Sequence, residues 1–379
     1  MEKEKGPRPI DTHFHFVYAK PISETAENFR RIMGHLGLGG CVLQALSSID
    51  HRPNDPYQNI KGLYLKSLLG EEGYRVYLYG APYHFHDGRD SAERYLEDTK
   101  RLYAMGADGY KSLDGKPGYR KALGRALDDE LFEPSVDFIE RMGMPAKIHM
   151  CDPRKFWGRR EELTENQIKR GWWYGDGSYP SFDGIYSELE RVLSRHPSLK
   201  LTIAHFGYIT NDEGRCEKML ERWKGLGFDL TPGASMFASF SADPDYWKDF
   251  FDRNRSRIFF GSDTYNNLPS PELSAIEKHC ERICLVRRML ESSPTDSFEY
   301  QNLGIFKPMA LSEEILRAIY EDNVMELLGE GRAIDSAAVI EESERLRSLT
   351  LSGEFSVSEE EKEIELSNIQ TIIDHFKTR

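Results

Sequence analysis

Long apolar runs are missing from this sequence, and its mean hydropathy of −0.59 leaves no stretch for a bilayer-spanning helix. The opening MEKEKGPRP carries no apolar core of the kind a secretory leader needs. Cysteine is scarce: Cys41, Cys151, Cys216, Cys280 and Cys284 are five in number, odd and without paired spacing, so no disulfide framework is expected. Cys280 and Cys284 are four apart on an expected helix and read as one core face. Free thiols and the missing export signal point to the cytoplasm. Basic charge is outweighed as well. Lys and Arg total 50 against 63 Asp and Glu, a net charge of −13, and the cations are dispersed. That excludes the basic stripe a nucleic-acid backbone requires. No glycine-rich phosphate loop follows the first expected strand, which argues against a doubly wound sheet.

What is present is a 379-residue chain, 39% apolar and 12% aromatic, enough for one large barrel or two average domains. Eight short β-like runs punctuate it, at about 8–15, 39–45, 74–81, 108–113, 145–150, 199–205, 227–231 and 257–263. Segments of helical periodicity separate them, such as SAERYLEDTKRLYAMG and IYSELERVLSRHPS. This alternation predicts an α/β fold, a (β/α)8 TIM barrel over residues 1–329. Insertions are expected after strands 5 and 8, at residues 151–184 and 264–311, the second holding a helix near 272–291. Barrel enzymes carry active-site loops at those strand ends. Residues 330–379 read as a charged C-terminal helical extension. There Ser358 and Glu361 make a capping box, and Ile369, Ile372, Ile373 and Phe376 share one helix face. That face suits packing on the barrel or a subunit contact in a homo-oligomer.

Polar residues interrupt the apolar strands at one place in particular. In IDTHFHF (residues 10–16), strand alternation directs Asp11, His13 and His15 to one face and Thr12, Phe14 and Phe16 to the other. His149 closes the fifth run (AKIHM), His205 the sixth (TIAHFG) and Asp263 the eighth (FFGSDTY). Each alone is as well explained by a core histidine or a capping aspartate. Together they place four imidazoles and a carboxylate at one end of several strands, of which three imidazoles and the carboxylate would make a ligand set. Such ligands suit Zn²⁺, or Mn²⁺ or Fe²⁺.

The set resembles the metal-dependent amidohydrolase superfamily, and AHFG and GSD resemble its amidohydrolase-2 branch of TIM-barrel hydrolases and decarboxylases. The resemblance spans roughly residues 8–329, ending in ILRAIYEDNVMELLG. It implies that His13, His15, His149 and Asp263 hold the metal. It also implies that His205 polarises the substrate or its oxyanion and that Asp263 accepts a proton from water. Lys111 falls near the end of strand 4 and has three readings: a contact to a substrate carboxylate, a carbamylated bridge to a second metal, or an exposed loop lysine. With the bridge, His149 and His205 would both serve the second metal.

Other residues carry weaker signals. Lys147 and Asp11 are expected to be neighbours in the barrel floor, since an unpaired charge there is costly. His84 and His86 (YHFH) stay outside the ligand set. Trp172, Trp173 and Tyr174 suit a substrate wall or lid as well as they suit packing under a long loop. His35, His51, His196, His279 and His375 have no evident chemical role. The function expected is hydrolysis of an amide, lactone or ester bond in a small molecule, which could itself be a carboxylate. Non-oxidative decarboxylation is the alternative among enzymes, and a non-catalytic ligand-binding barrel the alternative outside them.

Overall fold

Nine parallel strands hydrogen-bond side by side in the computed structural model, which describes residues 8–16, 20–47, 56–84, 89–232, 234–268, 272–300, 304–355 and 357–379. They are β1 (Ile10–His15), β2 (Gly40–Gln44), β3 (Arg75–Gly80), β4 (Gly109–Gly115), β5 (Ala146–Met150), β6 (Leu201–Ile203), β7 (Leu226–Asp229), β8 (Ile258–Phe259) and β9 (Thr264–Tyr265). The order β8-β7-β6-β5-β4-β3-β2-β1-β9 closes on itself because β8 and β9 are two ends of one stretch. β8 pairs with β7 and β9 with β1. The fold is the expected (β/α)8 TIM barrel.

Two expectations about strand detail fail for local reasons. The register of β1 on β2 shifts between Asp11 and Phe14. A bulge of this kind breaks strict alternation. Thr12 therefore sets its hydroxyl 3.0 Å from Lys147 Nζ, and Ile10 joins Val42, Tyr77, Tyr79 and Phe259 in the barrel floor. Beyond the bulge Phe14 packs on the helix side against Phe29, ring centroids 4.9 Å apart. The eighth strand, expected to be continuous over 257–263, is split. The Asp11 carboxylate takes the Ser262 amide (3.1 Å) and hydroxyl, and Asp263 has φ +58°. Gly261 allows the close approach to β1: a Cβ there would lie 2.9 Å from Thr231 Oγ1 and 3.0 Å from His13 Cβ.

The insertions and the tail form around this frame. Residues 151–184 contain short helical turns and the helix Glu165–Lys169 before the long helix Phe182–Arg195. The helix expected near 272–291 is two helices, Leu273–His279 and Glu281–Glu291, joined at Cys280. Cys280 is buried there but Cys284 is exposed, so the pair does not share a core face. In the tail, helix Ser336–Leu351 precedes helix Glu359–Lys377, whose capping box forms between Ser358 and Glu361. Ile369, Ile372, Ile373 and Phe376 are buried. Beside them Lys61 and Glu365 make a buried ion pair at 2.8 Å, and Asn368 bonds the Ile22 amide at 2.9 Å. No helix among the described residues is long and apolar enough to cross a membrane.

Candidate active site

Three side chains at the barrel mouth offer ligand atoms within 4.8 Å of one another: His13, His15 and Asp263, and among the described residues no other such group of His, Cys, Asp and Glu occurs. His15 Nε2 lies 3.2 Å and His13 Nε2 3.8 Å from Asp263 Oδ1. The far nitrogen of each ring is engaged. His13 Nδ1 faces Asp229 Oδ2 at 2.8 Å and His15 Nδ1 the Gln44 carbonyl at 3.1 Å. Both acceptors require a proton on Nδ1, which leaves Nε2 an unprotonated acceptor on each ring. Two imidazole lone pairs and a carboxylate oxygen thus face one another, an arrangement that a shared cation satisfies. Burial lowers the pKa of both imidazoles. Burial would raise the Asp263 carboxyl, and the neighbouring His15, His205 and His13 rings lower it well below the usual range only as imidazolium, a charge that a bound cation would supply in their place.

Asp229, at the end of β7, was not singled out by the sequence reasoning, yet four strands meet at its carboxylate. Oδ2 accepts from His13 Nδ1 and from Lys147 Nζ, each at 2.8 Å. Oδ1 accepts the His205 amide at 2.8 Å and the Thr231 amide at 3.1 Å. Burial opposes its ionisation, but Lys147 and His13 prevail and its pKa lies well below the usual range. The available signal was an aspartate at the same end of a strand as the other polar residues. Lys147 therefore takes Asp229 as its direct partner, not Asp11. Asp11 is bound instead to Ser262 and to the His13 amide, and burial raises its pKa to about 6.

His205 is held in left-handed backbone (φ +57°), followed by Phe206 and Gly207 in the same region. Such conformations cost free energy and persist where surrounding structure enforces them. Here Tyr186 donates to the Gly207 carbonyl at 2.6 Å, and Asp229 holds the His205 amide. Burial, then His149, lowers the His205 imidazole to about 3. Its ring lies 4.7 Å from that of His149 and 5.6 Å from that of His13. His149 stands outside the three-residue group: its Nε2 faces Asp152 Oδ1 at 3.5 Å, and Asp152 Oδ2 accepts from Tyr174 at 2.6 Å. His149 Nε2 and His205 Nδ1 are buried without a hydrogen bond.

Lys111 is fully buried on β4, so the exposed-loop reading of this residue is overturned; its inward place on the strand puts Nζ 3.3 Å from His13 Nε2. Burial and then Lys147 lower its pKa to about 7. Trp172 and Tyr174 pack with Phe156 and Leu163 in a small core of the first insertion and do not line the cavity beside Asp263. That cavity, about 870 Å³, is walled largely by the second insertion. His84 is buried against Tyr95 and 3.3 Å from Asp114, away from the ligand group. His51 and His86 lie outside the described residues. His196 is tied to Glu140 and Glu133 at 2.9 and 3.0 Å.

No curated protein matches this chain. A hydratase structure, 4-oxalomesaconate hydratase from Rhodopseudomonas palustris, is 13% identical, covering 89% of this chain and 99% of that one, with a TM-score of 0.49. A manganese-bound dihydroxybenzoic acid decarboxylase from a Polaromonas species is 10% identical over 85% and 96%, TM-score 0.47. Dihydroorotase from Campylobacter jejuni is 10% identical over 86% and 84%, TM-score 0.44. A family model described as Amidohydrolase matches residues 83–329. The match begins after β1, so His13 and His15 lie ahead of it. Spanning well over half of the chain, it shows that this protein belongs to the amidohydrolase-2 family, whose members depend on metal.

Proposed function

We propose that the protein is a hydrolase of a small organic molecule, cleaving an amide, lactone or ester bond with a divalent cation at His13, His15 and Asp263, completed by His149. The observation that carries this reading is the pair of Nε2 acceptors turned toward Asp263 Oδ1 while both Nδ1 atoms are committed elsewhere. His149 Nε2, buried without a hydrogen bond and 3.5 Å from Asp152 Oδ1, offers one further ligand atom. Three imidazoles and one carboxylate suit Zn²⁺, with Mn²⁺ and Fe²⁺ as alternatives. When bound, such an ion supplies a Lewis acid that acidifies water and polarises a carbonyl.

The chain's own groups then divide the work. Asp263, ionised and partly exposed, accepts a proton and passes it to the leaving group. His205 stays neutral far into the acid range and turns a hydrogen-bonding ring toward the site, where it stabilises charge on a carbonyl oxygen. Lys111 offers a buried amine for a substrate carboxylate or, carbamylated, for a second metal. That amine favours one other reading, non-oxidative decarboxylation by the same residues. The five free thiols support a cytoplasmic setting.

Elemental analysis of the purified protein, with assays of lactone ring-opening and of CO₂ release from aromatic acids, tests the proposal. Stoichiometric metal with ring-opening is the expected result, and CO₂ release alone would move the assignment to decarboxylation. Metal-free protein, or full turnover in Asp263→Asn, would refute it.

A further inference from the structure

The 870 Å³ cavity beside Asp263 has chemistry that the proposed reaction does not use. Four aromatic rings line it, those of Phe237, Tyr265, Tyr300 and Phe306, and two cations, Lys278 and Arg282, come from the paired helices of the second insertion. Lys278 makes no hydrogen bond or ion pair among the described residues. Arg282 commits one nitrogen only: Nη1 donates to the Asp263 carbonyl at 2.9 Å and to Asp263 Oδ2 at 3.0 Å. Its Nε and Nη2, the side edge of the guanidinium, have no partner among the described residues, and the side chain is 49% exposed. That edge is a planar two-donor fork, the shape that binds an oxyanion through two parallel hydrogen bonds.

We propose that Arg282 and Lys278 recognise the anionic group, a carboxylate or a phosphate, of a small substrate whose ring or apolar body lies against the four aromatic side chains. The inference rests on the metal-hydrolase reading for the place of reaction, and it adds the substrate class. Arg282 also ties recognition to chemistry. Its Nη1 holds Asp263 Oδ2 and leaves Oδ1 toward His13 and His15, so an anion on its other edge is seated beside the reacting carboxylate. Glu281 lines the same cavity and is exposed. It opposes an anion and supplies an internal control of opposite sign.

The test is calorimetric titration of the full-length, metal-loaded protein with benzoate, phenyl phosphate, acetate and the neutral benzamide. At least one anion should bind about tenfold or more tightly than benzamide. Arg282→Gln should abolish that preference, Arg282→Lys should restore part of it, and Glu281→Gln should tighten the anion severalfold. Whichever of carboxylate and phosphate binds better identifies the group. The inference is overturned if no anion outbinds benzamide, or if the preference survives Arg282→Gln in protein whose circular dichroism and metal content match the parent. Absence of metal from the parent protein would strike the hydrolase reading alone, because the anion preference can be titrated without it.

Discussion

The two insertions of the barrel are both rich in aromatic residues, yet only the second turns some of them toward a cavity beside Asp263. In residues 151–184 the aromatic side chains meet one another: Trp172 stacks on Phe156 with ring centroids 5.7 Å apart, and Tyr174 packs against Trp157 and Tyr179. The segment builds a private core, and only the chain from Tyr174 through Asp152 reaches a site histidine. In residues 264–311 Phe306 packs against Phe298 and Tyr300, but Tyr265, Tyr300 and Phe306 also wall an open cavity, and the cations beside them are not all paired. A cluster of rings therefore says little about binding by itself. An unspent charge beside a cavity says more, because a charge left without a partner is costly unless solvent or a ligand satisfies it.

The comparison can be broken at four places. The largest effect is expected at the foot of the second insertion, where Asp263→Asn should cut turnover by about a hundred- to ten-thousandfold, measured by steady-state kinetics on folded protein. In the first insertion Phe156→Ala should cost about 3–5 kcal/mol of stability, read from denaturant unfolding, while affinity for a divalent metal stays unchanged. A large loss of metal there would mean that the private core also shapes the site. Between the two, Asp229→Asn should weaken metal binding about ten- to a hundredfold, followed by titration against a chelator. Tyr174→Phe is the smallest, about 1 kcal/mol. Were it to remove turnover instead, the first insertion would act through Asp152 and His149, and the contrast would fail.

Asp229 also predicts a pH dependence. Its folded pKa lies well below its unfolded value, so the stability it contributes is fully present above the unfolded pKa of about 3.9. That stability is lost as the pH falls from there toward the folded pKa. Asp229→Asn should therefore show a flatter decline of stability below about pH 4, measured by acid titration of the unfolding transition.

Much of this protein is legible in its local sequence. Each of the eight expected strands has a counterpart because short apolar and β-branched runs between amphipathic helices leave the chain few other arrangements. His13, His15 and Asp263 were visible because each ends such a run. The failures share a cause. The bulge between Asp11 and Phe14 depends on what β2 and the 260–263 stretch offer to β1, so alternation alone put Thr12 and Asp11 on the wrong faces. Lys147 had two buried carboxylates to choose from, and the choice was made by β7 crossing next to it.

The sequence by itself determined the barrel, the end of it that carries chemistry and the residue types there, since these follow from periodicity and side-chain character along single strands. Only the tertiary structure decided that Asp229 joins β1, β5, β6 and β7, that Lys111 is buried, and that Arg282 grips Asp263 from a distant helix. Hydrogen bonds between residues far apart in the chain depend on how strands and loops pack, and no local pattern records them.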